Sequence, residues 1–179
     1  MTTISVSSYQ FNNPVGYLGI AEMNKKITRV LFNCKEEDLS DISLNRLFFS
    51  DINYYSRTVN VCKTDLLNLA ATQIREYLNG QRAVFDLPLQ IEGAYFTKIV
   101  YHELLKIPAG QTRSYKEVAI ASGNPKASRA VGMINKNNPL PIFVPCHRVI
   151  GSTGNLIGYA GGIPMKQHLL DMEKVYYTS

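Results

Sequence analysis

The sequence predicts a mixed α/β (α+β) fold in two parts, a β-rich first half and a helical second half, with a soft boundary near residue 90. Three observations carry this. In residues 1–63, short apolar runs such as Val15–Ile20 and Ile27–Phe32 are separated by the turn residues Asn12-Asn13-Pro14 and Asn24-Lys25. From residue 65 onward, apolar residues recur at helical spacing. The 179 residues suffice for one good core or two small domains, here 1–90 and 91–179.

Composition narrows the class. Apolar residues make up 45% and charged residues 18%, as in a soluble globular protein. No stretch approaches the length of a membrane span, and the first residues carry neither the positive cluster nor the apolar core of a secretory leader. A cytoplasmic protein is expected. The net charge of +5 suits a polyanionic partner without establishing one. Three cysteines are too few for a disulfide framework, and with three histidines they have no metal-ligand spacing. No metal and no cofactor is expected. Cys34 and Cys62 read as buried thiols in strands or at their edges.

The elements follow in order. Lys35–Ser56 is ambiguous and has room for one short helix. A helix over Asp65–Asn79 carries the stripe Leu66, Leu67, Ala70, Ile74, Tyr77 and Leu78 and stops at Gly80. Phe85–Ile91, with Pro88 inside it, is a loop or edge segment. A second helix, Tyr95–Lys106, buries Phe96, Ile99, Val100 and Leu104.

Ser114–Asn138 reads as a helix-turn-helix. Ser114-Tyr115-Lys116-Glu117 is a capping box, and Val118, Ala119 and Ala121 form a short inner face up to Gly123. Asn124 is placed as N-cap of the next helix, with Pro125 at its first position. There Ala127, Ala130, Val131 and Ile134 face inward. Lys126, Arg129, Gly132, Met133 and Lys136 form a slim basic outer face. Such a face meets phosphates well, although an ordinary solvated helix has the same pattern.

The next informative stretch is Asn138-Pro139-Leu140-Pro141-Ile142-Phe143-Val144-Pro145-Cys146-His147-Arg148-Val149. Three prolines stiffen it, so Cys146 is presented from a rigid, packed segment. Adjacent residues rarely point the same way, so a bridging water is expected between Cys146 and His147 rather than a direct bond. In a final helix starting at Pro164, Glu173 falls in the stripe of Leu169, Leu170, Tyr176 and Tyr177. Two readings of Glu173 stand: a buried carboxylate paired with an imidazole, or a residue of a frayed last turn. Three glycines around Tyr159-Ala160 allow close backbone approach to a ligand.

In this order, Ser114-Tyr115, Gly123–Gly132, Asn138–Ile142, Pro145-Cys146-His147-Arg148-Val149, Gly158-Tyr159-Ala160-Gly161-Gly162 and Lys166…Leu169-Leu170…Glu173 resemble the O6-alkylguanine-DNA alkyltransferase (methylated-DNA–protein-cysteine methyltransferase) family. The resemblance spans residues 92–175. It implies a ribonuclease-H-like first domain and a winged-helix-like second domain. It implies stoichiometric transfer of an alkyl group from O6-alkylguanine, with O4-alkylthymine as a second candidate lesion, to Cys146. The partner it implies is double-stranded DNA bound through the minor groove, the protein acting as a monomer.

The resemblance also implies residue roles. Cys146 accepts the alkyl group, His147 acts on it through a water, Glu173 holds His147, and Asn138 fixes the turn before the active-site strand. Tyr115 assists flipping and bonds the extruded guanine, while Arg129 enters the vacated stack. Lys126, Ser128 and Lys136 complete the DNA face. Val149, Tyr159, Ala160, Gly161 and Lys166 line the pocket. Tyr101, Ala160, Gln167 and His168 depart from the residues usual in the family. Two other functions stay open: a lesion-binding protein that does no chemistry, weakened by the presence of Cys146, and a Cys-His hydrolase, weakened by the basic helix-turn-helix.

Overall fold

The computed structural model describes residues 2–11, 14–40 and 57–177. These form two compact units, one comprising residues 1–76 with 86–90 and the other residues 77–85 with 91–179.

The first unit is built on a four-stranded sheet in the order β3-β2-β1-β4. Strand β1 (Thr2–Gln10) pairs antiparallel with β2 (Tyr17–Met23), which pairs antiparallel with β3 (Lys26–Phe32). Strand β4 (Arg57–Val61) runs parallel to β1. Asn24 and Lys25 form the two-residue hairpin expected from the sequence, both at positive φ (50° and 57°), which matches the twist of the strands they join. Register places Ile4 opposite Met23 and Val6 opposite Ala21, and these four side chains form one core with Cys34 and Leu39. The segment 88–90 is the edge piece expected around Pro88. Its carbonyl accepts from Ile27 N at 2.8 Å, a role that needs no N–H from proline. A 3-10 turn, Glu37–Ser40, lies in the ambiguous segment after residue 35, and residues 41–56 lie outside the described ones.

Helix α1 (Asp65–Leu78) follows the predicted stripe, with Leu67, Ala70, Ile74, Tyr77 and Leu78 buried, and Gly80 turns the chain at φ 72°. In the second unit, α2 (Tyr95–Leu105) buries Val100, Tyr101 and Leu104, while Phe96 and Ile99 are half-buried. The two-stranded parallel pair β5 (Arg113–Ser114) and β6 (Val149–Ile150) flanks α3 (Tyr115–Ala121) and α4 (Ser128–Lys136). The capping box forms as predicted, Ser114 Oγ accepting from Glu117 N at 3.1 Å and Glu117 accepting from Ser114 N at 2.6 Å. The chain ends in α5 (Ile163–Tyr177). Among the described residues, no helix is long and apolar enough to cross a membrane.

Four expectations are corrected. The second helix of the helix-turn-helix starts at Ser128, not Pro125, because residues 124–127 close their own turn through Ala127 N to Asn124 O. Ala121 and Ala130 are exposed, and the inner positions go to Ser122 and Val131; alanine carries too little apolar surface to set a face. Cys62 is exposed, one residue past the end of β4. In α5, Tyr176 is exposed, and the buried face comprises Met165, Lys166, Leu169, Met172 and Glu173.

Candidate active site

The site is assembled in the second unit from several pieces of chain. The first is the proline-stiffened segment 138–145. Ile142, Phe143 and Val144 are buried in it, and Val144 N closes a turn on Leu140 O at 2.8 Å. Ile142 takes φ 75°, a conformation that costs a β-branched residue about 1–3 kcal/mol and persists only where the surroundings force it. Asn138 supplies that constraint. Its Oδ1 accepts from Leu140 N at 3.0 Å, which fixes the amide orientation, and its Nδ2 donates to Val144 O at 2.8 Å. The second Nδ2 proton reaches Cys146 Sγ at 3.1 Å. One buried side chain therefore shapes the turn and donates to the sulfur.

Cys146, His147 and Arg148 form a 3-10 turn rather than continuing as a strand. Cys146 is 4% exposed. Burial pushes its thiol up to about 11, against the opposing pull of the Asn138 donor and the Lys166 ammonium. The resting sulfur is thus a thiol, and a thiol must lose its proton before it can act as a nucleophile. No direct Cys146–His147 hydrogen bond forms.

Helix α5 contributes Glu173 and Lys166, both fully buried. Glu173 is not frayed. Its carboxylate receives His147 Nε2 at 2.9 Å, Arg148 Nη2 at 2.7 Å and Nε at 3.0 Å, Tyr77 Oη at 2.5 Å and Gly110 N at 3.1 Å. Burial raises this carboxyl, but the bonds and charges of His147 and Arg148 outweigh it and hold the group down at about 2. The sequence anticipated an imidazole partner for Glu173. It missed Arg148 and Tyr77, which come from the same turn as the imidazole and from α1. Tyr77 was hidden in an apolar stripe, and the available signal was that a buried phenol needs a hydrogen-bond partner.

His147 is fully buried, which lowers its basicity below that of a free imidazole despite the adjoining carboxylate. With Nε2 committed to Glu173, Nδ1 is left buried without a partner among the described residues. Lys166 Nζ donates to Val149 O at 2.6 Å and Ile157 O at 3.1 Å, tying β6 to the loop before Tyr159.

Tyr115, at the start of α3, donates to Ile157 O at 3.1 Å. With Gly132, Asn135 and Lys136 of α4 and Ile157–Ala160 of the glycine loop, it lines a cleft of about 370 Å³. Tyr115 and Tyr159 are walls of this cleft, and both hydroxyls are raised by burial first and by the Cys146 charge second. Val149 is buried, while Ala160 is exposed and Gly161 half-exposed beside Tyr159. On α4 and the turn before it, Lys126, Arg129 and Lys136 are exposed and Ser128 is half-buried, so the basic face of the sequence is a real surface.

Two family models match the chain: 6-O-methylguanine DNA methyltransferase, ribonuclease-like domain, over residues 7–91, and 6-O-methylguanine DNA methyltransferase, DNA binding domain, over residues 95–175. The constitutive methylated-DNA–protein-cysteine methyltransferase of Bacillus subtilis is 43% identical over 168 residues, 92% of this chain and 93% of its own. That of Methanosarcina barkeri is 50% identical over 105 residues, 59% of this chain and 66% of its own. The crystal structure of Mycobacterium tuberculosis OGT in complex with DNA is similar with a TM-score of 0.77 and 34% identity, over 96% of this chain and 94% of that chain.

Proposed function

The chain belongs to the 6-O-methylguanine DNA methyltransferase family, and from that premise we propose that it repairs DNA by moving the alkyl group of O6-alkylguanine onto Cys146. The observation that carries this reading is the surroundings of one sulfur: an amide donor at 3.1 Å, and as next residue an imidazole held by a buried carboxylate.

In this reading the Cys146 proton passes through a water to His147 Nδ1. The sulfur then attacks the alkyl carbon in line, the S–C bond forms, the C–O6 bond breaks, and its electron pair leaves with guanine, which is reprotonated. Asn138 Nδ2 and Lys166 stabilise the sulfur while it is negative. The thioether has no bond that water cleaves readily, so each chain acts once.

O6 is buried in a duplex, so the nucleotide has to leave the stack. The cleft at Tyr115, Gly132 and Ile157–Ala160 is the proposed receiving pocket. Entry requires the Tyr115–Ile157 bond to open, which frees the Tyr115 hydroxyl for the departing guanine. Arg129, exposed on α4, fills the gap left in the stack, and Lys126, Ser128 and Lys136 meet the backbone on the minor-groove side. O4-alkylthymine is the second candidate lesion, and action as a monomer completes the reading.

The test is mass spectrometry after mixing with DNA containing O6-methylguanine. One added methylene mass on the Cys146 peptide, at one equivalent per chain, is expected. Binding without a mass change supports a lesion-binding protein instead, and repeated ester or amide turnover supports a hydrolase. Arg129→Ala is expected to slow transfer from duplex DNA by about tenfold, the equivalent of about 1.4 kcal/mol, while transfer from the free base stays near wild type. Equal losses on both substrates would remove the stack-filling role.

A further inference from the structure

We propose that Tyr77 is a positioning residue of the transfer. By giving its hydroxyl proton to Glu173 Oε1, it joins that carboxylate in holding the His147 proton at Nε2 and leaves Nδ1 as the lone pair that takes the Cys146 proton through a water. The inference rests on the alkyl-transfer reading above for its chemistry, but the proton assignment is independent of it.

Glu173 faces Arg148 through Nη2 at 2.7 Å and Nε at 3.0 and 3.1 Å, so it is a carboxylate with no proton to give. The Tyr77 hydroxyl, 2.5 Å from Oε1, must therefore be the donor in that contact. Having spent its one proton, Tyr77 Oη turns lone pairs toward His147 Nε2 at 3.3 Å. Nε2 then faces two acceptors, Oε1 at 2.9 Å and Tyr77 Oη, an arrangement that repels a lone pair and welcomes an N–H. Nδ1 has no partner among the described residues and keeps the lone pair.

Tyr77 also shares the charge of Oε1. That oxygen accepts from Tyr77, from His147 and from two Arg148 nitrogens. Each further donor leaves less of the negative charge to favour an imidazolium. The groups acting on the ring are Arg148 from its own turn, Glu173 and Lys166 from α5, Tyr77 from α1 and Tyr159 from the glycine loop. Removing the Tyr77 hydroxyl leaves the others in place and strengthens the pull of Glu173 on a proton at His147. A base that is already protonated cannot accept from Cys146, so the loss appears on the acid side.

The experiment compares Tyr77→Phe with wild type, using single-turnover transfer from O6-methylguanine DNA across pH and ring-nitrogen NMR of histidine-labelled protein. The acid midpoint of the rate and the His147 titration are expected to rise together, by about one pH unit. A rate that drops by one factor at every pH, with the His147 titration unmoved, overturns the proposal and makes Tyr77 a packing residue. Wild type alone provides a check that needs no variant to fold: at neutral pH the nitrogen shifts should show Nε2 protonated and Nδ1 bare, and the opposite tautomer overturns the assignment. If wild type takes no methyl from the DNA, the alkyl-transfer reading fails while the nitrogen shifts still decide the tautomer.

Discussion

Cys34, just past β3 in the first unit, and Cys146, in the second, are 2% and 4% exposed, and burial pushes both thiols to about 11. By acidity at rest they are the same group. Their neighbours differ in sign. Cys34 Sγ lies 3.9 Å from Lys35 O, as a donor, and the Asp38 charge raises its thiol further. Cys146 Sγ accepts from Asn138 and has the Lys166 ammonium pulling the other way. An anion forming at Cys34 meets a carbonyl and a carboxylate; at Cys146 it meets an N–H and a cation. Reactivity is written in how the surroundings treat the ion, not in how much of the neutral thiol is ionised.

The largest expected effect breaks the pair apart directly. Cys146→Ala should abolish methyl transfer, whereas Cys34→Ala should keep one equivalent per chain at a rate within about twofold of wild type, as read by peptide mass. Transfer persisting in Cys146→Ala would move the acceptor elsewhere.

Next comes the carboxylate near each sulfur. Glu173→Gln leaves Arg148 buried without its counter-charge, and urea unfolding should show a loss of about 3–5 kcal/mol. Asp38→Asn, whose carboxylate oxygen accepts from the Lys35 backbone in an exposed turn, should cost about 0.5 kcal/mol or less. A small loss at Glu173 would mean that Arg148 finds solvent.

The smallest effects are in the dependence of stability on pH. Glu173 is held at about 2, below its ordinary value of 4.5. Its contribution is complete above 4.5 and lost as pH falls through about 2, because the unfolded chain takes up the proton first. The two thiols behave oppositely. Their native values near 11 lie above the ordinary 9.0, so stability is complete below pH 9 and declines as pH rises to about 11. Since the two are shifted alike, Cys34→Ala and Cys146→Ala should each remove a similar share of that alkaline decline in thermal melts. Unequal shares would show that the two burials differ after all.

Much of the site could be read from the residues, because its signals are local. The Ser114–Glu117 cap, the stiff apolar run before Cys146 and the helical phase of Glu173 are local signals, and each formed as expected. What could not be read was long-range. Tyr77 lies 70 residues from His147 and 96 from Glu173, and nothing in its helix separates a phenol that binds a carboxylate from one that fills a core. Arg148 is buried under Ile107 O and Glu173, partners 41 and 25 residues away that no local pattern connects to it. The late start of α4 was missed because Asn124-Pro125 serves a turn as readily as a helix start.

Gly80 sets how closely the ends of α1 and α5 approach. It follows the last turn of α1 at φ 72°, and a methyl group built there would sit 2.6 Å from the Tyr176 ring near the end of α5. On the next residue of α5, the Tyr177 hydroxyl reaches the carbonyls of Tyr77 and Arg82 at 3.0 and 2.8 Å. A hydrogen atom where every other amino acid has carbon lets two helix ends nest, one bearing the phenol and the other the carboxylate it donates to. The contact between phenol and carboxylate is therefore gauged, a turn or two away, by a residue that has no side chain.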